Sequence, residues 1–525
     1  MLHEDDDLLV VNKPAGWNTH APSPYAGEGI YDWLRHREPR WSELAIVHRL
    51  DKETSGVLVF TKCKRANRSL TEQFTARGVS KTYLLLTDRK PPRQKLKAVS
   101  NLTRAGERYI SKPARGSSER AETEFVLLKE TGGRWLVEAH PLTGRTHQIR
   151  VHAADNGFPI LGDTLYGGTP WQRVCLHAER ICFRHPATNE EVEFHASASF
   201  DADPREALRV SCLQREETNA FRLCHGAADG QPGLYVDRLG DCLLAQSEQS
   251  LNESQRRAIE YWMKSSSAKG VYHKVLTRYV RQKNVTETSP QPIMGEPAPR
   301  TFVVTENGVS FEMSFEEGYS VGLFLDQRDN RRRFLTNHVA AGFPLFDGGA
   351  VGKSVLNTFA YTCGFSVCAA KAGATAVSLD LSKKYLEWGK RNFALNGLDA
   401  ANHDFIFGDV FDWLRRLRKK GRLFDAIVLD PPTFSHSKEH GIFRAETDFP
   451  ALMKLALALL KPAGVVLAST NAAILKPERF IAQLHEAAKA DGRKVVQEHY
   501  VPQPPDFPVT RDEPAYLKTV WMRVD

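Results

Sequence analysis

The feature that most constrains the fold is an alternation of short apolar runs and helix-like segments after about residue 300. The apolar runs have the length and composition of buried strands and occur at 355–357, 376–379, 405–407, 426–429 and 464–468. Helical patterns at Lys383–Leu395 and 449–460 lie between them. Parallel strands need such crossovers, so the alternation predicts a doubly wound, Rossmann-like α/β sheet.

The length of 525 residues requires more than one domain, because a domain commonly holds about 100–200 residues. Residues 1–200 predict an antiparallel α+β domain, with strand-like runs at 8–11, 57–60, 82–87, 135–139 and 149–152. Residues 205–300 predict a small mixed α/β domain, with a strand-like segment at 234–246 and an amphipathic helix at 253–264. A Pro-rich run at 289–299 is predicted as a turn or linker before the α/β domain at 301–525.

Acidic residues end three successive strand runs of the last domain. Asp380, Asp409 and Asp430 follow the second, third and fourth runs, and a loop of small residues at 358–366 follows the first. A parallel α/β sheet binds its ligand beyond the carboxyl ends of its strands, so these side chains should share one pocket. Each acidic residue could instead cap the helix that follows it, and both roles stay open here.

A second chemical signal lies in the first domain. The segment 48–56 reads HRLDKETSG and places Asp51 in a polar loop directly before the strand run 57–60. A strand edge holds such a loop rigidly, which suits a catalytic carboxylate. Asp51 could equally be a turn residue paired with Arg49 or Lys52, so the loop alone leaves its role open.

Six blocks in chain order give this domain a family resemblance. They are DDLLVVNKPAG at 6–16, HRLDKETSG at 48–56, KTY at 81–83, LTGRTHQIRVH at 142–152, LGDTLYG at 161–167 and LHA at 176–178. Over roughly residues 8–195 the chain resembles the RluA-type pseudouridine synthases. The resemblance implies an isomerase that converts uridine to pseudouridine in RNA with neither a cofactor nor a metal.

The resemblance also implies roles for individual residues. Asp51 would attack the nucleotide or stabilise charge as the glycosidic bond breaks, and Arg145 would pair with Asp51 and keep it ionised. Tyr83 would stack on the base and assist the final proton removal, and Arg49 would fill the space left by a flipped base. Two histidines of the fourth block are either catalytic or packed locally: His147 and His152.

Motifs after residue 218 give a second resemblance. They are NAFRL at 219–223, DGQPGL at 229–234, LFLDQRDNR at 323–331, TFAYTCGFS at 358–366, YLEW at 385–388, NGL at 396–398 and DPPTF at 430–434. Over about 219–524 the chain resembles class I S-adenosylmethionine-dependent methyltransferases, nearest the large-subunit rRNA methyltransferases of the RlmI and RlmK type. The resemblance implies S-adenosylmethionine as cofactor, and it implies that residues 205–300 are an RNA-facing module.

The cofactor and acceptor residues follow from the same resemblance. The expected cofactor contacts are Arg328, Asn357, Phe359, Tyr361, Gly364, Asp380, Asp409 and Asp430. Among them, Arg328 would pair with the cofactor carboxylate, and Asp380 would bind the ribose hydroxyls. The methyl acceptor would lie at Asp430, Pro431 and Pro432, with Phe434 stacked on the flipped base.

The choice of methylated atom depends on the cysteines. Carbon 5 of cytosine is a poor nucleophile, so its methylation requires a thiolate that first adds to the ring. No cysteine occurs after Cys368, and Asn471 stands where RlmI relatives carry one. Guanine nitrogen 7 already has an exposed lone pair and needs mainly positioning, so it is the preferred atom. An exocyclic base amine is the next candidate.

The charge distribution supports an RNA partner. Lys and Arg number 71 against 63 Asp and Glu, a net charge of +8. Ten of these cations fall between Arg89 and Arg120: Arg89, Lys90, Arg93, Lys95, Lys97, Arg104, Arg108, Lys112, Arg115 and Arg120. The segment is either a solvated hairpin or a surface that follows a phosphate backbone.

Other features exclude several classes of protein. The eight cysteines lack paired spacing, which argues against a disulfide scaffold or zinc module, and no metal site is predicted. The acidic N-terminus and the lack of long apolar runs predict a soluble, cytoplasmic chain without a membrane partner. We expect a bifunctional enzyme acting on large-subunit, 23S-type rRNA. An RNA-binding ribosome-assembly factor with only one active domain is the alternative, and the oligomeric state is open.

Overall fold

The computed structural model describes residues 1–525 except 28, 115–118, 277–288, 319 and 438–440. The chain divides into two compact units. The first consists of Met1–Pro22, Glu28–Arg35 and Arg40–Ser211, and the second of Ser23–Gly27, His36–Pro39 and Cys212–Asp525. Arg115 of the predicted basic segment lies outside the described residues.

The first unit is built on an 11-stranded sheet. Its strands are β1 (His3–Glu4), β2 (Leu8–Lys13), β3 (Ala45–Ile46), β4 (Ser55–Thr61), β5 (Ser80–Thr87), β6 (Lys95–Ala105), β7 (Arg108–Lys112), β8 (Arg120–Thr131), β9 (Arg134–Pro141), β10 (Leu176–Arg184) and β11 (Glu191–His195). The helices before residue 213 are α1 (Ile30–Arg37), α2 (Lys64–Thr75), α3 (Gln148–Asp155) and α4 (Pro204–Cys212). The strand order is β1-β2-β4-β10-β5-β9-β8-β6-β7, with β3 beside β4 and β11 beside β10.

The predicted α+β fold of this unit is confirmed, with one error in the predicted strands. Residues 149–152 were expected to form a strand but lie inside helix α3. Every residue from Gln148 to Ala153 is buried, so the segment shows neither the two-residue period of a strand nor the 3.6-residue period of a surface helix. A short apolar run with both faces buried does not distinguish a helix from a strand.

The second unit contains several sheets. Its strands are β12 (Ala220–His225), β13 (Leu234–Leu239), β14 (Cys242–Ser247), β15 (Gly270–Val275), β16 (Gln291–Gly295), β17 (Phe302–Glu306), β18 (Val309–Met313), β19 (His338–Ala340), β20 (Phe343–Pro344), β21 (Ser354–Thr358), β22 (Thr375–Asp380), β23 (Asp404–Phe407), β24 (Phe424–Leu429), β25 (Phe434–Ser437), β26 (Gly441–Arg444), β27 (Leu460–Thr470), β28 (Val495–Val501) and β29 (Lys518–Val524). The helices are α5 (Glu253–Ser265), α6 (Arg328–Thr336), α7 (Gly364–Lys371), α8 (Lys383–Leu395), α9 (Val410–Lys419), α10 (Ala445–Leu457) and α11 (Pro477–Ala490).

The largest sheet of this unit confirms the predicted doubly wound fold. Its order is β23-β22-β21-β24-β27-β29-β28, and its first five strands are parallel. Neighbouring residues of one strand enter different cores: Val465 packs in one apolar cluster and Val466 in the other. Burial on both faces explains why these strands read as continuous apolar runs in the sequence.

A five-stranded sheet, β12-β13-β14-β15-β16, precedes it. The predicted strand-like segment 234–246 is a hairpin of two strands, and the predicted helix is α5. Part of the Pro-rich run at 289–299, expected to be a turn or linker, instead forms β16, which pairs with β15 at the sheet edge. An edge strand accepts Pro292 because one side of it needs no ladder hydrogen bonds. In the described part of the chain, no helix is long and apolar enough to cross a membrane.

Candidate active sites

The loop that carries Asp51 is fixed by the strand that follows it. Strand β4 is buried along its whole length, and its Gly56 has φ +117°. A Cβ at Gly56 would lie 2.2 Å from the carbonyl oxygen of Ala178 on the neighbouring β10, so only glycine permits this approach. Ser55 Oγ also bonds with His177 Nδ1 at 2.7 Å. These contacts hold the end of the loop beside the sheet.

Two basic side chains lie close to the Asp51 carboxylate. Arg150 Nη1 is 3.9 Å and His147 Nε2 is 4.0 Å from Asp51 Oδ2. The Arg150 guanidinium is itself fixed by a bidentate pair with Asp163, at 2.7 and 2.8 Å. A cation that is itself fixed by a second carboxylate therefore faces Asp51.

Tyr83 lies near this carboxylate on strand β5. Burial, followed by the negative charge of Asp51, raises the pKa of Tyr83 well above its usual value. A phenol in this setting stays protonated at neutral pH, which suits it to donate a hydrogen bond and to stack. The surroundings disfavour ionised Tyr83 as a proton acceptor.

Arg145 and Arg49 are both on the surface. The amide of Arg145 donates to Gln148 Oε1 at 3.0 Å, at the start of α3, and its side chain is exposed. The expected pair of Arg145 with Asp51 stays a prediction. Arg49, in the Asp51 loop, is also exposed. Its role and that of Arg145 stay predictions.

The two histidines of the fourth block have different surroundings. His152 is buried between Ser100 Oγ, at 3.0 Å, and Thr123 Oγ1, at 2.9 Å, and burial lowers its pKa to about 4. It therefore packs locally. His147 lies beside Asp51, and its Nδ1 bonds with the hydroxyl of Tyr166 at 2.8 Å.

Tyr166 links this site to the basic hairpin formed by β6 and β7. Its hydroxyl accepts a hydrogen bond of 2.9 Å from the amide of Tyr109 on β7. The sequence blocks contained Arg150, Asp163 and Tyr166, but spacing gave no reason to assign them to the site. Only the fold brings them to Asp51. The hairpin exposes Lys95, Arg104, Arg108 and Lys112.

In the second unit, the loop between β21 and α7 has an unusual backbone. Phe359, Tyr361 and Cys363 have φ of +52°, +48° and +63°, although none is glycine. Left-handed residues of this kind cost free energy and cluster at ligand-binding sites. In this loop the Tyr361 amide donates to Asp380 and the Cys363 amide donates to the carbonyl of Ala360, and Gly364 then begins α7.

Asp380 and Asp409 differ in what they already bind. Asp380 accepts the amides of Tyr361 and Ser382, each at 2.8 Å, and burial raises its pKa. Each of its oxygens retains a second acceptor position for a ligand hydroxyl. Asp409 is the N-cap of α9 and accepts a hydrogen bond from the Asp412 amide at 3.0 Å. This contact matches the helix-capping role that was one of the two roles expected for Asp409.

Two expected cofactor contacts are not supported. Arg328 is 2% exposed and pairs through both terminal nitrogens with Asp506, at 2.8 and 2.6 Å. This buried pair occupies the guanidinium, so Arg328 is not free to bind a cofactor carboxylate. Asn357 is 1% exposed, and its amide donates to Ser366 Oγ at 2.9 Å, which fixes the start of α7 instead.

Asp430, at the end of β24, is held by a chain of hydrogen bonds. Trp521 Nε1 donates to Asn330, Asn330 donates to Gln327, and Gln327 Nε2 donates to Asp430 Oδ2 at 3.2 Å. Burial, followed by the charge of Asp326, raises the pKa of Asp430 to about 7. Gln327, which is almost fully buried, belongs to the LFLDQRDNR motif at 323–331, but nothing in that motif assigned it to the site.

The residues after Asp430 line the same edge of the sheet. Pro431 is buried and Pro432 exposed, and Thr433 bonds with Asn471 at the end of β27. Phe434 leaves 46% of its side chain exposed, as a stacking residue would. Among the residues that the structure describes, no cluster of His, Cys, Asp or Glu could hold a metal ion.

Two family models match this chain. Residues 7–155 match the RNA pseudouridylate synthase model, and residues 241–523 match the S-adenosylmethionine-dependent methyltransferase model. Ribosomal RNA large subunit methyltransferase I of Aeromonas salmonicida is 34% identical over 391 residues, which cover 74% of this chain and 92% of that protein.

Solved structures give the same assignment for the second unit. A chain from Streptococcus mutans described as an S-adenosylmethionine-dependent methyltransferase is 27% identical, with a TM-score of 0.50 over 65% of this chain and 87% of its own. A further chain, described as a methyltransferase complexed with SAH, has the same identity and coverage and a TM-score of 0.52.

Proposed function

We propose, from the premise that this chain belongs to the S-adenosylmethionine-dependent methyltransferase family and carries an RNA pseudouridylate synthase domain, that it makes two base modifications in large-subunit rRNA. One is pseudouridine, formed at Asp51. The other is a methyl group on guanine nitrogen 7, transferred beside Asp430. An rRNA substrate also supports a cytoplasmic location.

For pseudouridine formation, the supporting observation is the charge around Asp51. The Arg150 guanidinium lies 3.9 Å from the Asp51 carboxylate, which attacks the nucleotide or stabilises charge as the bond between ribose and uracil nitrogen 1 breaks. The detached uracil turns, and its carbon 5 bonds to carbon 1 of the ribose, which breaks any bond that Asp51 had formed there. Carbon 5 then loses its proton and nitrogen 1 gains one, so the product is an isomer of uridine. Tyr83 stacks on the base as a neutral phenol. Arg49 is exposed where it could enter the space left by the flipped base.

The residues of the second unit fit S-adenosylmethionine. The left-handed loop before α7 and the remaining acceptor positions of Asp380 support a site in which Asp380 accepts hydrogen bonds from the ribose hydroxyls. When bound, the cofactor supplies an electrophilic methyl group. Asp430, Pro431 and Pro432 orient the acceptor base, Gln327 fixes Asp430, and Phe434 stacks on the base.

The absence of a thiol supports guanine nitrogen 7 over carbon 5 of cytosine. No cysteine follows Cys368 in the sequence, and Asn471 at the end of β27 bonds with Thr433 of the acceptor loop. Nitrogen 7 needs no covalent activation, so positioning is sufficient for its methylation. An exocyclic amine is the competing acceptor, because Asp430 could accept its hydrogen bond.

We further propose three functional divisions: a pseudouridine synthase domain at 1–200, an RNA-facing domain at 205–300 and a methyltransferase domain at 301–525. The separate five-stranded sheet supports the middle division. A ribosome-assembly factor with one silent domain is the alternative, and Asp51→Ala and Asp430→Ala variants assayed in vitro distinguish it.

The proposed function is tested by mapping rRNA from cells that lack the protein. Reverse transcription and mass spectrometry report both modifications at once. We expect one pseudouridine and one 7-methylguanine to disappear. Loss of a 5-methylcytosine instead would contradict the argument from the cysteines.

A further inference from the structure

The end of helix α9 carries a dense cluster of cations. Six of the eight residues from 415 to 422 are Lys or Arg, and none is acidic. All six are exposed: Arg415, Arg416, Arg418, Lys419, Lys420 and Arg422. We name these six residues the α9 basic patch. It is separate in sequence from the basic hairpin of the first unit.

Packing does not require these charges. Helix α9 is held by Val410, Phe411, Leu414 and Leu417, which are buried in an apolar core at helical spacing. The cations stand on the opposite face. Cations in the last turn of a helix are favourable for the helix dipole, but this cluster continues past Lys419, where α9 ends.

The patch contains more positive charge than its surroundings neutralise. Arg416 pairs with Asp412 at 2.7 Å, and Arg422 pairs with Asp404 at 3.2 Å. Within the described residues, no carboxylate pairs with the remaining four, Arg415, Arg418, Lys419 and Lys420. Like charges three or four residues apart destabilise a helix, so this surface is costly unless an anion binds it.

An aromatic ring organises part of the patch. Trp413 Nε1 donates to the carbonyl of Phe407 at 3.1 Å, which fixes the ring. Arg416 lies 5.1 Å and Lys420 lies 5.8 Å from the ring centroid. Cations held over a ring that can also stack on bases are typical of surfaces that bind nucleic acid.

The patch is distinct from the cofactor site. Helix α9 begins directly after Asp409, at the carboxyl edge of the sheet where the cofactor residues lie. The chain then returns to start the parallel strand β24, so the far end of α9 lies toward the amino edge. A helix of 10 residues spans about 15 Å, so the patch lies roughly that far from the cofactor edge.

We propose that the α9 basic patch binds the phosphate backbone of the substrate RNA outside the acceptor site. The inference rests on the proposed function only in taking RNA as the substrate of this unit. The patch carries no acidic side chain, and four of its cations are available to phosphates. It would hold a structured RNA while the target base reaches Asp430.

The test compares two variants of the full chain with equal changes in net charge. In the patch variant, the four cations without carboxylate partners are replaced: Arg415→Gln, Arg418→Gln, Lys419→Gln and Lys420→Gln. In the control variant, four exposed cations dispersed along and beside α11 are replaced: Lys476→Gln, Arg479→Gln, Lys489→Gln and Lys494→Gln. Thermal unfolding and S-adenosylmethionine affinity check that both variants fold.

Binding to deproteinised large-subunit rRNA is measured across a range of salt concentrations. The loss of four phosphate contacts should reduce the slope of log affinity against log salt by about 3. We expect KM for RNA to rise about tenfold in the patch variant, with kcat unchanged, and the control variant to match the wild type.

An unchanged slope and KM in the patch variant would overturn the proposal. A defect seen with ribosomal particles but not with deproteinised RNA would overturn it as well, because the partner would then be a protein. Failure of the proposed function would be seen in a different measurement, the methylation product of the wild-type chain. In that case the wild-type chain methylates another atom, or none, while the comparison of RNA binding remains valid.

Discussion

Replacing Asp430 with Asn should stabilise the second unit at neutral and alkaline pH while abolishing methyl transfer. Burial and the charge of Asp326 raise the pKa of Asp430 from 3.8 to about 7. The native state therefore binds more protons than the unfolded state between these two values, so its stability falls as the pH rises through this window. Above about pH 7 the loss is complete.

The size of the effect follows from that shift. Each pKa unit corresponds to about 1.4 kcal/mol, so the full shift costs about 4 kcal/mol. From pH 5 to pH 8, the pH passes through about the last two units of the range between the two pKa values. The wild type should therefore lose about 3 kcal/mol of stability between these two pH values. Asn cannot ionise, yet it keeps an oxygen that accepts the hydrogen bond of Gln327. The difference in free energy of unfolding between Asp430→Asn and the wild type should therefore grow by about 3 kcal/mol from pH 5 to pH 8.

The assay is thermal unfolding of both proteins at pH 5 and pH 8. The transition that S-adenosylmethionine shifts identifies the second unit. At about 2–4 °C for each kcal/mol, the advantage of Asp430→Asn should grow by several degrees between the two pH values. Exposed Asp347 supplies the control, because Asp347→Asn should change nothing. Identical pH dependence in the wild type and Asp430→Asn would refute the reasoning.

Three other substitutions have definite outcomes. Asp506→Ala leaves Arg328 buried without its bidentate partner and should lower the free energy of unfolding by about 3–5 kcal/mol in urea titration, with unchanged S-adenosylmethionine affinity of the folded protein. Tyr166→Phe removes the hydrogen bond to His147 and should reduce kcat for pseudouridine formation about fivefold without affecting methyl transfer. Gly56→Ala forces a Cβ against a backbone carbonyl and should destabilise the first unit by at least about 1–3 kcal/mol in thermal unfolding.

The fold was predictable where burial leaves a clear periodic signal. The strands of the parallel sheet are buried on both faces, and their apolar runs were identified within a few residues of their observed bounds. The prediction failed for Ile149 to His152, where a fully buried helix has no polar face. It also failed for Pro292, which occupies an edge strand rather than a linker.

Sequence motifs identified individual site residues, but they did not identify the side chains that surround those residues in the fold. Asp51 and Asp430 were identified from the chain because they follow or precede strands in specific loops. The side chains around them come from parts of the chain that are distant in sequence, so no single motif identifies them as neighbours. Arg150 approaches Asp51 from helix α3, and Gln327 reaches Asp430 from the start of α6. The same limit explains the error at Arg328, since nothing in its local sequence indicates the distant Asp506.

We propose that this one chain holds two independent active sites. The most direct test complements cells lacking the protein with the Asp51→Ala or the Asp430→Ala variant and maps their large-subunit rRNA. We predict that Asp51→Ala restores the methylated guanine without the pseudouridine, and that Asp430→Ala restores the pseudouridine without the methylated guanine. Restoration of both modifications by either variant would contradict the account.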